Sequence, residues 1–187
     1  MNTTFKTPAL KNFLNTLCKQ YPDKAEYIES LSDQFACLDL SCQNHIQTQE
    51  TFQQTLNLLT GDTVYLVWNV DDIIHDLQKN HQTPNLVSIK SMMAHPAFVK
   101  NDWSELLDKV SKSKFPFTHK TDYIILAQLP FFDGFFVIDG NHRIGESIIM
   151  KKDIIKAILL QADDAYKYLQ SDSKRFIELI REINKFF

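Results

Sequence analysis

Glycine is scarce in this chain, and three of its four glycines fall inside Phe132-Asp-Gly-Phe-Phe-Val-Ile-Asp-Gly-Asn-His-Arg-Ile-Gly145. The apolar run Phe135-Phe136-Val137-Ile138 has the composition of a buried strand. It stops at Asp139-Gly140-Asn141, where glycine takes positive φ freely and Asp and Asn tolerate it. The following Arg143 to Met150 reads as a helix with Ile144, Ile148 and Ile149 on one side. Asp139, Asn141, His142 and Arg143 are therefore expected where a strand ends and a helix begins. Such a junction offers free backbone N–H groups and the positive end of a helix dipole, both of which favour an anion.

The remaining pattern predicts a fold of α+β class. Thr7-Pro8 opens a first helix carrying Leu10, Phe13, Leu14, Leu17 and Tyr21, and Asp23 to Glu26 resembles a capping box for a second with Tyr27, Ile28, Leu31 and Phe35. A third helix is expected over 48–60, ending before Gly61. Strands are expected at Thr63–Trp68, Asp122–Leu129, Phe135–Ile138 and Asp153–Leu160, with a short helix from Asp71 to Leu77 and mostly helix from Ser88 to Lys112. The tail from Ser171 places Phe176, Leu179, Ile180, Ile183 and Phe187 on one helical face. The expected organisation is a helical region over 1–61 packed on a core over 62–161, then a C-terminal helix over 162–187.

Composition narrows the function classes. A net charge of −3 and a pI near 6.0 give no global basic field, so nucleic acid is a partner that the charge does not favour. The local stretch Lys109, Lys112, Lys114 and Lys120 with Phe115, Phe117 and His119 is the place where it would touch. Cys18, Cys37 and Cys42 form no C-x-x-C pair, and His75, His81, His95 and His119 show no ligand spacing, so no metal site is expected. The N-terminus lacks a basic segment followed by an apolar one, and the apolar stretch 123–138 is broken by Gln128, Pro130, Asp133 and Gly134. A cytoplasmic protein without membrane spans is expected.

The residues Val137-Ile-Asp-Gly-Asn-His-Arg143, with a hairpin before them and a helix and strand after, resemble the ParB N-terminal / sulfiredoxin-like superfamily. The signature there is an apolar strand, Asp-Gly-x-His-Arg, then a helix. The resemblance spans about Val64 to Leu160, with Val64 to Leu77 matched to the family's opening strand and helix. It implies a small mixed sheet, wrapped here by the terminal helices, and a motif that contacts nucleotide phosphates. Carried over to this chain, Gly140 and Asn141 belong to the phosphate-binding turn, and His142 and Arg143 contact phosphate. Asp139 serves as the base in a kinase-like member, making Asp139 and His142 the candidate catalytic pair. The implied ligand is a nucleotide or phosphorylated small molecule, with Mg²⁺ accompanying a nucleotide. The implied chemistry is phosphotransfer or nucleotide hydrolysis.

Several features depart from family members. Sulfiredoxins place a catalytic cysteine where this chain has Asn141. The arginine-rich box and helix-turn-helix domain of partition proteins are absent. Asp139-Gly-Asn141 and Arg143 also echo the AMP-transferring Fic motif, but Phe135 stands where the Fic histidine belongs and His142 replaces its second glycine. Asp71, Asp72 and Glu146 are candidate second carboxylates. Asp71 and Asp72 would serve Mg²⁺ or a substrate hydroxyl, or cap a helix, and Glu146 would hold Arg143 by an i,i+3 pair. Three further readings stay open at this level: a tight turn in which Asp139 caps the next helix, a non-catalytic DNA-associated accessory protein, and a protein-interaction module.

Overall fold

The computed structural model describes residues 8–41, 50–94, 103–112, 120–130 and 134–186. It is an α+β protein with helices at both ends, a two-stranded sheet and a four-stranded mixed sheet. No described helix is long and apolar enough to cross a membrane. The described residues cluster into two units, one within Met1–Thr48, Gln53–Trp68 and Leu169–Phe187, the other within Gln49–Phe52 and Asn69–Tyr168.

In the first unit, α1 (Pro8–Gln20) and α2 (Ala25–Ala36) follow the expected stripes, burying Leu10, Leu14 and Leu17 on one and Ile28, Leu31 and Phe35 on the other. The C-terminal helix (Ser171–Asn184), α8 below, buries Phe176, Ile177, Leu179 and Ile183. Phe176 meets Phe35 edge-on, with ring centroids 5.9 Å apart. No capping box forms at Asp23, because Pro22–Lys24 take a 3₁₀ turn and Lys24 precedes α2 without a side-chain cap.

The helix expected over 48–60 is instead a strand, β1 (Thr51–Asn57), paired with β2 (Thr63–Asn69). Gly61 does have positive φ, at 97°, but in the hairpin turn. The Leu58 N–H donates to Asp62 O at 2.8 Å and the Gly61 N–H to Leu58 O at 2.9 Å. The buried carboxylate of Asp62 then accepts from the N–H groups of Ala9 (3.2 Å) and Leu10 (2.5 Å). It caps the first turn of α1 from a distant point in the sequence, and burial strengthens those bonds. Asp62→Ala is expected to cost about 1–2 kcal/mol, read as a lower urea midpoint with an unchanged m value.

In the second unit, α3 (Val70–Lys79) precedes β3 (Asn85–Ser88), α4 (Ile89–Ala94) and α5 (Trp103–Lys112). Then come β4 (Ile124–Gln128), β5 (Phe135–Asp139), α6 (Asn141–Ile149), β6 (Ile154–Leu160) and α7 (Ala162–Lys167). The four strands lie in the order β3-β6-β4-β5, with β4 and β6 parallel and both outer pairs antiparallel. All four expected strands are present, and three of them lie in this sheet. The early strand, β2, pairs in the two-stranded sheet and so is not in the sheet that carries the motif. Its place there is taken by β3, where no strand was expected.

Strand alternation supplies two apolar faces. Val87, Ile124, Leu126, Val137, Ile155 and Ala157 join Ile144 of α6 and Ile89 and Met92 of α4 in one cluster. Residues of the opposite parity, including Ile125, Ala127, Phe136, Ile138 and Ile158, are buried as well, and α7 packs on β4 and β6. Covering both faces excludes water from the middle of the sheet and fixes its register. Gly145 brings α6 against α5, since a Cβ there would lie 2.7 Å from Val110 Cγ2. The segment expected as one C-terminal helix over 162–187 holds two, α7 and α8.

Candidate functional site

The glycine-marked segment folds as strand, turn and helix. β5 pairs with β4, but its register slips between Ile125, opposite Asp139, and Leu126, opposite Val137. One extra residue, Ile138, is accommodated just before the turn, and such a bulge re-aims the residues beyond it. Gly140 follows at φ 101°, ψ 17° and stands at the N-cap of α6. The first helical bond runs from the Ile144 N–H to Gly140 O at 3.0 Å. The N–H groups of the first helical turn point out from this end of α6.

Gly140 answers two demands at once. Its φ is one that side chains resist, and its α-carbon is crowded. A Cβ there would lie 2.5 Å from Ile124 Cγ2, 2.9 Å from Ile124 Cβ and 3.1 Å from Arg143 Nη1. The Arg143 guanidinium therefore lies beside the turn, directly against the glycine.

Arg143 is the unusual residue of the site. It is only 8% exposed, although arginine is seldom buried without full pairing. Its Nη2 donates to Asp139 Oδ2 at 3.2 Å, one turn back. Its Nε and Nη1 are buried with no hydrogen-bond partner among the described residues. A buried donor without an acceptor costs free energy, more so on a charged group. The guanidinium is thus held at Nη2 and unsatisfied at Nε and Nη1.

This geometry settles several expectations. Asp139 does not cap α6, because the N-cap is Gly140 and makes no side-chain cap bond; its carboxylate goes to Arg143 instead. Arg143 pairs with Asp139, and Glu146 is half-buried in the middle of α6. His142 is exposed and Asn141 half-buried. Asp71 lies inside the first turn of α3, whose N-cap is Asn69. Its Oδ1 accepts from Lys120 Nζ at 2.6 Å and its Oδ2 from the Glu50 N–H at 2.7 Å. The Lys120 hydrogen bond first, then that of the Glu50 backbone, hold the Asp71 carboxyl below its ordinary range. Lys120 also meets Glu50 at 2.8 Å, so Asp71 belongs to a partly exposed ion network. Asp72 is exposed. Of the basic–aromatic stretch, residues 113–119 lie outside the described residues, as do His95 and the side chains of Trp103 and Lys109.

The sequence reading did not single out Tyr123 and Asp122. Tyr123 is buried at the start of β4, and its phenol is pushed up chiefly by that burial and next by the charge of Asp122, with Arg143 acting the other way. Asp122 is held down mainly by its hydrogen bond from Lys156 and more weakly by the field of Arg143. These residues belong to the electrostatic surroundings of Arg143. Residues directly preceding a strand that pairs with the motif strand are the signal that would have found them. Among the described residues, no group of three His, Cys, Asp or Glu side chains could hold a metal ion. Comparisons with protein-family models, curated proteins and solved structures found no match.

Proposed function

We propose that the turn from Asp139 to Arg143 binds phosphate, in a nucleotide- or phosphate-binding protein of ParB/sulfiredoxin-like type. The observation that carries this reading is the buried Arg143, fixed by Asp139 and left with Nε and Nη1 unsatisfied beside Gly140. A phosphate oxygen is the kind of acceptor these donors lack, since guanidinium N–H groups make strong charge-assisted hydrogen bonds to anions. The first-turn N–H groups of α6 and its dipole favour the same charge, and His142 adds a donor at the exposed rim. The family resemblance in the motif points the same way.

Phosphotransfer or nucleotide hydrolysis is the catalytic extension of this reading. Asp139 Oδ1, the oxygen not engaged by Arg143, would take the proton of an acceptor hydroxyl or water. Arg143 and His142 would offset charge on the transferred phosphoryl group. Mg²⁺ fits this site poorly as a resident ion, because no carboxylate cluster among the described residues would cage it. The proposal therefore rests on the chain's own donors.

Thermal unfolding with ATP, ADP, CTP, GTP and pyrophosphate, each with and without Mg²⁺, tests the reading. At about 100 times Kd, one of these is expected to add roughly 2.7 kcal/mol, a midpoint rise of about 5 °C or more. Arg143→Lys keeps the charge but loses the planar fork, so it and His142→Ala are expected to reduce the rise by more than half. If no ligand moves the midpoint of the folded wild type, the site is a structural turn and the proposal fails.

A further inference from the structure

In the first unit, far along the chain from the motif, the start of α2 and the end of α8 enclose an open groove of about 640 Å³. Its wall is aromatic. The Phe186 ring lies between those of Tyr21 and Tyr27, with centroids 5.9 Å and 6.1 Å away and planes tilted by 46° and 37°. Tyr27 is 46% exposed. Its hydroxyl donates to Glu182 Oε2 at 2.7 Å, and Lys185 Nζ donates to both oxygens of the same carboxylate at 2.7 Å. These bonds anchor the rim.

A cation already occupies this wall. Lys24 Nζ lies 5.2 Å from the Phe186 centroid and 5.9 Å from that of Tyr21. No carboxylate among the described residues pairs with it, although Asp23 and Glu26 line the same groove. The ring faces, negative at their centres, hold the ammonium where a salt bridge would otherwise be expected. Lys24 ends a short 3₁₀ turn and carries its ammonium on a flexible stem, so moving that ammonium leaves the rings and rim in place. Lys185 balances Glu182. With Lys24 withdrawn, Asp23 and Glu26 would leave the groove net negative and facing a bare aromatic wall.

We infer that this groove binds an organic quaternary ammonium group, with the Lys24 ammonium as the internal occupant it displaces. A quaternary ammonium suits the wall because it donates no hydrogen bonds, carries a diffuse charge and gives up little hydration on leaving water. The group could be that of a choline-like small molecule or of a trimethylated lysine on a peptide. The inference stands independently of the phosphate reading.

The test is a ¹H–¹⁵N titration of the whole chain with choline, with its uncharged carbon isostere 3,3-dimethylbutan-1-ol, and with a peptide bearing one trimethyllysine. Saturable shifts are expected at residues 21–30 and 182–186 with choline, and roughly 3–10-fold weaker binding with the isostere. Lys24→Gln should tighten choline several-fold by vacating the rings, and Phe186→Ala should abolish the response while the rest of the spectrum persists. Peptide binding tighter than choline assigns the ammonium to a protein partner, and equal binding assigns it to a small molecule. Equal affinity for choline and isostere, or no saturable response even in Lys24→Gln, overturns the inference.

Discussion

Gly140→Ala is expected to lower the unfolding free energy by about 3 kcal/mol or more. Two costs combine. A side chain at φ 101° loses about 1–2 kcal/mol, and the new methyl must displace Ile124, whose Cγ2 would lie 2.5 Å away in a close-packed sheet face. Gly61 supplies the control. It has nearly the same φ, 97°, with nothing within 4 Å of where its Cβ would stand. Gly61→Ala should therefore cost only the conformational part, about 1–2 kcal/mol. Urea unfolding of both variants, followed by circular dichroism, separates the effects. Equal costs at the two positions would mean that crowding under the motif turn is relieved without penalty.

Removing the other half of the site should have a comparable effect. Asp139→Ala deprives the buried guanidinium of its hydrogen-bond acceptor and is expected to cost about 3 kcal/mol, as for other broken buried pairs. In Asp139→Ala/Arg143→Leu the orphaned charge is gone, so the double variant should be more stable than Asp139→Ala alone. Inorganic phosphate distinguishes a phosphate site from a merely structural pair. If Arg143 accepts phosphate, millimolar phosphate should recover more stability in Asp139→Ala than it adds to wild type, because repulsion from the carboxylate has been removed. An Asp139→Ala protein within about 0.5 kcal/mol of wild type, indifferent to phosphate, would show that Arg143 is satisfied without its carboxylate.

The elements that could be read from sequence are those whose pattern is local and long. The stripes of α1, α2 and α8 and the apolar runs of β4, β5 and β6 each carry their own periodicity, so fold class and motif context followed from them. Strands β1 and β3 could not be read in this way. In Thr51–Asn57, Phe52 and Leu56 stand four apart, a helical spacing, and Gly61 suits a helix end as well as a hairpin. Pairing with β2 decides between them. Likewise Asn85–Ser88 is a strand because β6 runs beside it, with Val87 opposite Ile155, and nothing within four residues can announce a distant partner. At the site, chain order placed Asp139 to Arg143 correctly at a strand-to-helix turn. The sequence could not show that Arg143 is buried, since burial depends on the slip before Asp139, the contact of Gly140 with Ile124, and the packing of α6 on the sheet.

The cap on α1 has a consequence for the order of assembly. Its acceptor, Asp62, lies 52 residues beyond the Leu10 N–H that it receives. A nascent α1 therefore emerges with its leading amides open to water, and isolated helices of 13 residues are marginal. The hairpin turn at Leu58–Asp62 closes locally, within microseconds, and needs nothing from α1. Helix and carboxylate must then find each other across a long loop, a late and entropically slow event. The leading turn of α1 is thus among the last parts of this helix to be secured, and it is where fraying would begin.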